Sequence, residues 1–162
     1  MEDANAVDVT MQMAVLIVVA VSSAVTIVTI RYTDRRIRQA ELHPAVRTTG
    51  ERDRVLLAGI EGPHLPRLHG PGVLAVFDDR VTFVSASVPH RVVTIPRAHI
   101  TTVDLTSALR IRGHWRRNRR HWLRIRWQTG IGLATIGIVV PNPASWANIL
   151  KPQPGTPQPG DA

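Results

Sequence analysis

Apolar residues are distributed along this chain in two different patterns. The first pattern is a stretch of 22 residues without a charge, from Val9 to Ile30. At ~1.5 Å per helical residue the stretch is about 33 Å long, close to the ~30 Å hydrocarbon core of a bilayer. A buried helix of a soluble protein is rarely apolar on every side for so many turns. The pattern therefore predicts a transmembrane helix over residues 9–30.

The charges on the two sides of this stretch differ. The preceding residues 1–8 contain acids and no Lys or Arg, whereas the basic residues that follow at once are Arg31, Arg35, Arg36 and Arg38. By the positive-inside rule, residues 1–8 face outward and the rest of the chain is cytoplasmic, in the inner (cell) membrane. The alternative is a cleavable signal peptide, which would have a basic start and a shorter apolar core, and the sequence has neither.

The second pattern begins after a basic juxtamembrane linker over residues 31–53, in which Pro44 is expected to end the helix. Short apolar, β-branched and aromatic runs alternate with Gly, Pro and Asp, which is typical of strands and turns. The predicted strands cover residues 55–60, 73–77, 81–84, 92–95, 100–105, 122–127 and 132–140. Asn142 is the predicted N-cap of a last helix with Pro143 at its first position, and Trp146 lies on its apolar stripe.

These elements predict a mainly β fold over residues 54–150, a small barrel or sandwich of about seven strands capped by a C-terminal helix and preceded by one transmembrane helix. The Pro- and Gly-rich tail, residues 151–162, is predicted to be disordered. In the strand over residues 122–127, alternation predicts that Leu123, Ile125 and Trp127 face the core. Trp122 then lies on the polar face of that strand.

The charge balance adds a candidate binding site. The formal net charge is +8, which favours polyanionic partners. Eight arginines are concentrated in one segment: Arg110, Arg112, Arg116, Arg117, Arg119, Arg120, Arg124 and Arg126. Trp115 and Trp122 lie among them. Because Arg binds phosphate bidentately and Trp favours the bilayer interface, these ten residues are predicted to bind anionic membrane lipid.

Other interpretations of this basic segment stay open. It could be a solvated charge run that protects an exposed strand edge from aggregation. It could dock an acidic protein partner within a membrane complex, as a structural subunit would. Nucleic acid is a further candidate, since Arg with interleaved Trp suits phosphate contact and base stacking. No zinc-finger, helix-turn-helix or RNP pattern supports nucleic acid, and the sequence does not fix an oligomeric state.

The sequence shows few residue patterns that are typical of catalytic or metal-binding sites. Without cysteine, thiolate metal sites and Cys nucleophiles are excluded. The seven histidines show no helical metal-ligand spacing; they are His43, His64, His69, His90, His99, His114 and His121. Asp78 and Asp79 are explained by turn chemistry. We therefore expect a non-catalytic protein without a cofactor or metal.

Several runs in the β-rich part resemble a known family. Residues 72–84, an apolar strand, a turn with Asp79 and Arg80 and a strand with Phe83, resemble the first hairpin of bacterial pleckstrin-homology-like domains. Residues 93–103 match their pattern of strand, Pro, polar pair, Ile, polar pair and Val, which the related GRAM group shares, and residues 141–146 resemble the start of their capping helix. The resemblance covers residues 55–150 and implies a binding or scaffold module, often tethered to a membrane helix.

Overall fold

The computed structural model describes residues 3–47, 51–88, 91–111 and 113–151, with the side chains of residues 3–10 and 116–120 outside the description. The chain divides into two compact units between Arg35 and Arg36. The predicted disordered tail lies outside the described residues, apart from its first residue, Lys151.

The first helix, α1, covers Asp3–Glu41. All of its residues from 11 to 30 are exposed. The helix is long and apolar enough to cross a membrane, and its most apolar window of 18 residues has a mean hydropathy of 2.6. Its hydroxyl groups bond back to the backbone: Thr26 Oγ1 donates to the carbonyl of Ser22 and Thr29 Oγ1 to that of Val25, both at 2.8 Å. The helix begins at Asp3 rather than at the predicted Val9, since acids near a helix N-terminus are favourable.

Helix α1 ends at Glu41, three residues before Pro44, as the sequence predicted. Pro44 does not start an irregular linker, however, but opens a short second helix, α2, over Pro44–Arg47. Proline is well suited to the first position of a helix, where no backbone N–H is needed. His43 Nδ1 accepts a hydrogen bond of 3.2 Å from the Ala45 N–H at the start of α2.

The rest of the described chain is mainly β, as predicted. The strands are β1 (Glu51–Glu61), β2 (Gly70–Val76), β3 (Arg80–Ser85), β4 (Val92–Pro96), β5 (Ile100–Ile111), β6 (His114–Thr129) and β7 (Gly132–Val139). They form one antiparallel sheet in the order β4-β3-β2-β1-β7-β6-β5. A 3-10 turn, Arg97–His99, joins β4 to β5, and helix α3 covers Pro143–Leu150. Strand β1 begins four residues earlier than the apolar run indicated, because its charged first residues still pair with β2.

The main hydrophobic core lies on one face of the sheet and is covered by α3. Leu123, Ile125 and Trp127 belong to this core, which confirms the alternation predicted for their strand. Asn142 is the N-cap of α3, as predicted, and accepts a bond of 3.4 Å from the Ser145 N–H. Trp146, on the buried side of α3, is 1% exposed. The C-terminal helix therefore closes the core in the way the sequence indicated.

Two smaller clusters lie on the opposite face of the sheet. The first is formed by β2 and β3 together with the end of α1 and α2, where Ala40 and Val46 are buried. The second consists of Ala58, Leu109, Ile111 and Trp122, with Val139 packed against them. It arises because the far part of β5 folds back over β1 and β7. The sequence did not predict this second layer.

Two glycines allow the far part of β5 to approach so closely. Gly59 has φ +156°, and a Cβ placed on it would lie 2.9 Å from Cγ2 of Ile111. Gly137 pairs with Gly59 across the β1–β7 ladder, beside a bulge between Leu57 and Gly59. A Cβ on Gly137 would collide with the side chain of Leu109. The missing side chains leave the space into which Leu109 and Ile111 pack.

Candidate functional site: the arginine-rich hairpin

The basic segment belongs to a long β-hairpin, which extends well beyond the strands predicted over residues 100–105 and 122–127. Strands β5 and β6 pair from Ile100 opposite Trp127 to Ile111 opposite His114. Gly113, with φ +80°, lies in the turn, where glycine adopts a left-handed conformation without steric penalty. We call residues 100–129 the arginine-rich hairpin. The Arg-Gly step between Ile111 and His114 is the sequence signal that could have located its turn.

The tip of the hairpin presents cationic and aromatic groups to solvent. Arg110 is exposed and lies directly opposite Trp115 in the β5–β6 ladder. Trp115 is 66% exposed, which is unusual for so large an apolar side chain. His114, between Trp115 and the turn, is exposed as well. The structure thus brings together at the tip two of the residues that the sequence singled out, Arg110 and Trp115.

Five of the predicted site residues are only partly described or fall outside the description. Arg112 lies outside the described residues. Arg116, Arg117, Arg119 and Arg120 are within β6, but their side chains lie outside the description. The backbone register is given for two of them: Arg116 is opposite Leu109 and Arg117 opposite Ala108. Their assignment as binding residues therefore stays a prediction from the sequence.

The expectation that Trp122 lies on an exposed polar face is wrong. Trp122 is 6% exposed and packs against Ala58, Leu109 and Ile111. The predicted alternation along β6 is correct, because Leu123 faces the main core. The opposite face, which carries Trp122, is nevertheless also buried here, under the far part of β5. Its indole N–H is buried and has no hydrogen-bond acceptor among the residues that the structure describes. A buried side chain cannot insert into a membrane, so Trp122 is a packing residue.

The two arginines nearest the base of the hairpin, Arg124 and Arg126, are less exposed than Arg110 at the tip. Arg124 forms a two-pronged ion pair with Asp104 directly across the ladder, with Nε–Oδ1 and Nη2–Oδ2 distances of 2.8 Å each. Arg126 is half-buried and lies opposite Thr102. Because the Arg124 guanidinium already has a carboxylate partner, it is less available to an external anion than an exposed arginine.

The arginine-rich hairpin has little negative charge to offset its arginines. Asp104 is the one acid in the sequence between Asp79 and Asp161, and it is occupied by Arg124. The summed field of such a segment attracts anions. In the part of the chain that the structure describes, no three His, Asp or Glu side chains lie close enough together to hold a metal ion.

An exposed apolar pair was missed in the sequence analysis. Ile131 and Leu133, in and after the turn between β6 and β7, are 61% and 52% exposed. Ile131 stands between Gly130 and Gly132, and an isoleucine isolated between two turn glycines is the signal that could have revealed it. The pair lies at the end of β6 opposite to the hairpin tip, so it is not part of the candidate site.

The described geometry presents positive charge and an aromatic side chain to solvent at the tip of the arginine-rich hairpin. An exposed arginine and an exposed tryptophan, Arg110 and Trp115, lie opposite each other at the end of a strand pair that is rich in arginine. Comparison with known proteins adds no relative to this description: no family model, no curated protein and no solved structure matches the chain.

Proposed function

We propose that this chain is a single-pass protein of the inner membrane whose cytoplasmic, pleckstrin-homology-like β domain is a non-catalytic binding or scaffold module. Its arginine-rich hairpin contacts the anionic lipids of the cytoplasmic leaflet. The apolar helix α1 and the arginines that follow it support the anchor and its orientation. The resemblance of residues 72–84 and 93–103 supports the domain type.

The observation that carries the proposal is the exposure of Trp115 at the hairpin tip, beside the exposed Arg110. Burying a tryptophan in the bilayer interface removes apolar area from water, while arginine at its side binds lipid phosphate. The other three tryptophans are buried, Trp122 at 6%, Trp127 at 3% and Trp146 at 1% exposure. Trp115 is thus the one tryptophan that is free to contact a surface.

The expected electrostatic attraction is sufficient to hold a tethered domain at the bilayer surface. A basic residue close to an anionic leaflet contributes about 1 kcal/mol, falling off within a Debye length. The chain connects the hairpin covalently to α1, so contact with the bilayer does not have to overcome the full entropy of bimolecular association. A few engaged arginines, each at about 1 kcal/mol, would then hold the hairpin at the surface.

The four tryptophans allow a direct test in the full chain. The protein is placed in nanodiscs of zwitterionic phosphatidylcholine or of phosphatidylcholine with phosphatidylglycerol, in each case with lipids brominated in the acyl chains. Bromine quenches a tryptophan that enters the bilayer, and α1 contains no Trp. We expect quenching in anionic discs at low salt, its loss at high salt, and little quenching in zwitterionic discs.

Two variants and one matched control identify the source of the signal. Trp115→Phe should abolish the quenching, and Arg116→Gln/Arg117→Gln/Arg119→Gln should reduce it strongly. Arg47→Gln/Arg52→Gln/Arg91→Gln removes the same charge from exposed arginines outside the hairpin and should leave the quenching intact. Absence of quenching in anionic discs at low salt, with an unchanged circular dichroism spectrum, would rule out lipid contact and leave an acidic protein partner, nucleic acid or a solvated charge run as the interpretations of the hairpin.

A further inference from the structure

A groove of about 260 Å³ lies beside the cluster of Ala58, Leu109, Ile111 and Trp122. It is lined by the end of β1, the segment before β2 and the two residues that flank the hairpin turn: Ala58, Gly59, Ile60, Arg67, Leu68, His69, Ile111 and His114. The groove exists because β5 folds back over β1 at Gly59 without closing the space completely. The proposal below does not depend on the proposed function.

The floor and the rim of the groove differ in chemistry. Ala58, Ile60, Leu68 and Ile111 provide an apolar floor, and each is at most 6% exposed. Arg67, His69 and His114 stand at the rim and are exposed. Among the lining residues there is no acid; Glu61, the nearest acid along the chain, is exposed and does not line the groove.

A groove of this kind discriminates between ligands. The apolar floor favours a hydrocarbon group, and the guanidinium of Arg67 with two imidazoles favours a negatively charged head that accepts several hydrogen bonds. The volume is slightly below the ~300–1,000 Å³ of pockets for drug-sized molecules, so the hydrocarbon part that fits is short. Small ligand sites commonly combine such an apolar wall with a few convergent polar groups.

We propose that this groove binds a phosphate monoester that carries a short apolar group, with Arg67, His69 and His114 on the phosphate and Ala58, Ile60 and Ile111 on the apolar group. The same chemistry is offered by a soluble alkyl phosphate and by the head of a phosphatidic acid. The ligand is thus defined by its phosphate and by the carbon chain next to it.

The test uses the full chain in zwitterionic nanodiscs, where the arginine-rich hairpin has no anionic surface to bind, so that this result is independent of the proposed function. Hexyl phosphate is titrated while the methyl resonances of Ala58, Ile60 and Ile111 are followed by NMR. We expect saturable shifts of all three. Inorganic phosphate and hexanol, which each lack half of the ligand, should bind at least tenfold more weakly, a difference of ~1.4 kcal/mol or more.

Two variants distinguish binding in the groove from nonspecific attraction to the positive charge of the protein. Arg67→Gln should weaken the binding of hexyl phosphate about tenfold, since it removes the charge-assisted hydrogen bonds to the phosphate. Arg91→Gln, which removes an exposed arginine that does not line the groove, should have no effect. Unshifted methyl resonances at saturating hexyl phosphate, or equal weakening by Arg67→Gln and Arg91→Gln, would overturn the proposal.

A last arm distinguishes the two sources of the ligand. Zwitterionic discs that contain a small fraction of phosphatidic acid are examined without hexyl phosphate. Shifts of the same three methyl groups that an equal fraction of phosphatidylglycerol, which is anionic but carries no phosphate monoester, does not cause would identify a membrane lipid as the ligand. Shifts with hexyl phosphate alone would identify a soluble phosphate ester. Either result supports the groove as a phosphate-ester site.

Discussion

The indole N–H of Trp146 donates a hydrogen bond of 2.7 Å to Oδ2 of Asp53. It joins the C-terminal helix α3 to the first strand of the sheet, 93 residues earlier in the chain. The other end of α3 is also held, since Nη2 of Arg97 donates to the carbonyl of Ile149 at 2.7 Å. These two bonds fix the helix that closes the main core.

Loss of the Asp53 carboxylate should therefore destabilise the β domain. Asp53→Ala leaves the N–H of a buried tryptophan without an acceptor, which should lower the free energy of unfolding by about 2–3 kcal/mol. Asp53→Asn retains an acceptor oxygen and should have about half of this effect. Urea unfolding of the full chain in detergent micelles measures both. Glu51→Ala, an exposed acid on the same strand, is the control, and an equal loss there would contradict the role of the bond.

Gly137 should be intolerant of even one added methyl group. Gly137→Ala introduces a Cβ that collides with Leu109, and overpacking of this kind lowers stability by roughly 1–3 kcal/mol. When Leu109 is shortened to Ala the collision disappears. In that background Gly137→Ala should therefore change the free energy of unfolding by less than about 0.5 kcal/mol. Thermal unfolding of the wild type, the two single variants and the double variant gives the coupling energy between residues 109 and 137. At Gly130 an added Cβ meets nothing within 4 Å, so Gly130→Ala serves as the tolerated substitution.

Trp122 should be replaceable by Phe but not by Ala. Its indole N–H has no acceptor in the described part of the chain, so Trp122→Phe removes no described hydrogen bond and should lower stability by less than about 1.5 kcal/mol. Trp122→Ala empties the site under the hairpin and should lower it by about 3–5 kcal/mol. Trp146→Phe provides the contrast, because it also breaks the bond to Asp53. Equal losses for the two Phe variants would show that the Trp122 N–H has a partner after all.

Arg124 should contribute to the hairpin and not to lipid contact. The side chains of Arg124 and Asp104 are 27% and 37% exposed, and partly exposed ion pairs contribute ~1 kcal/mol or less. A double-mutant cycle with Arg124→Gln and Asp104→Asn, measured by urea unfolding at low and high salt, should give a coupling of about 0.5–1 kcal/mol that shrinks with salt. In the brominated nanodiscs Arg124→Gln should leave the quenching of Trp115 unchanged.

The sequence was informative wherever a strand faces one apolar layer. Alternation placed Leu123, Ile125 and Trp127 in the core, and the Asn-Pro step at residues 142–143 located the start of α3. Both signals are local, because period-two burial and helix capping depend on a few neighbouring residues. The apolar and turn residues likewise predicted the number of strands that the structure describes.

The sequence was misleading where contacts are non-local. Trp122 shares its face with Arg124 and Arg126, so its face appeared polar throughout, yet Leu109 and Ile111 cover it. This covering depends on space at Gly59 and Gly137, in two other strands. The long extent of β5 and β6 was hidden for a different reason: charged residues disfavour the assignment of a strand, although cross-strand pairing holds them in one.

The position of β1 in the sheet bears on how the protein is made. β1 pairs with β7 in the centre of the sheet, although these are the first and the last strands of the chain. When strands β1 to β4 have emerged from the ribosome, β5, β6, β7 and α3 have not yet been synthesised, although they supply much of the main core. At ~5–20 residues per second, the synthesis between β1 and β7 takes several seconds. With α1 as the proposed membrane anchor, we expect it to reach the bilayer before the β domain can fold, so that the domain would fold on a chain that is already tethered.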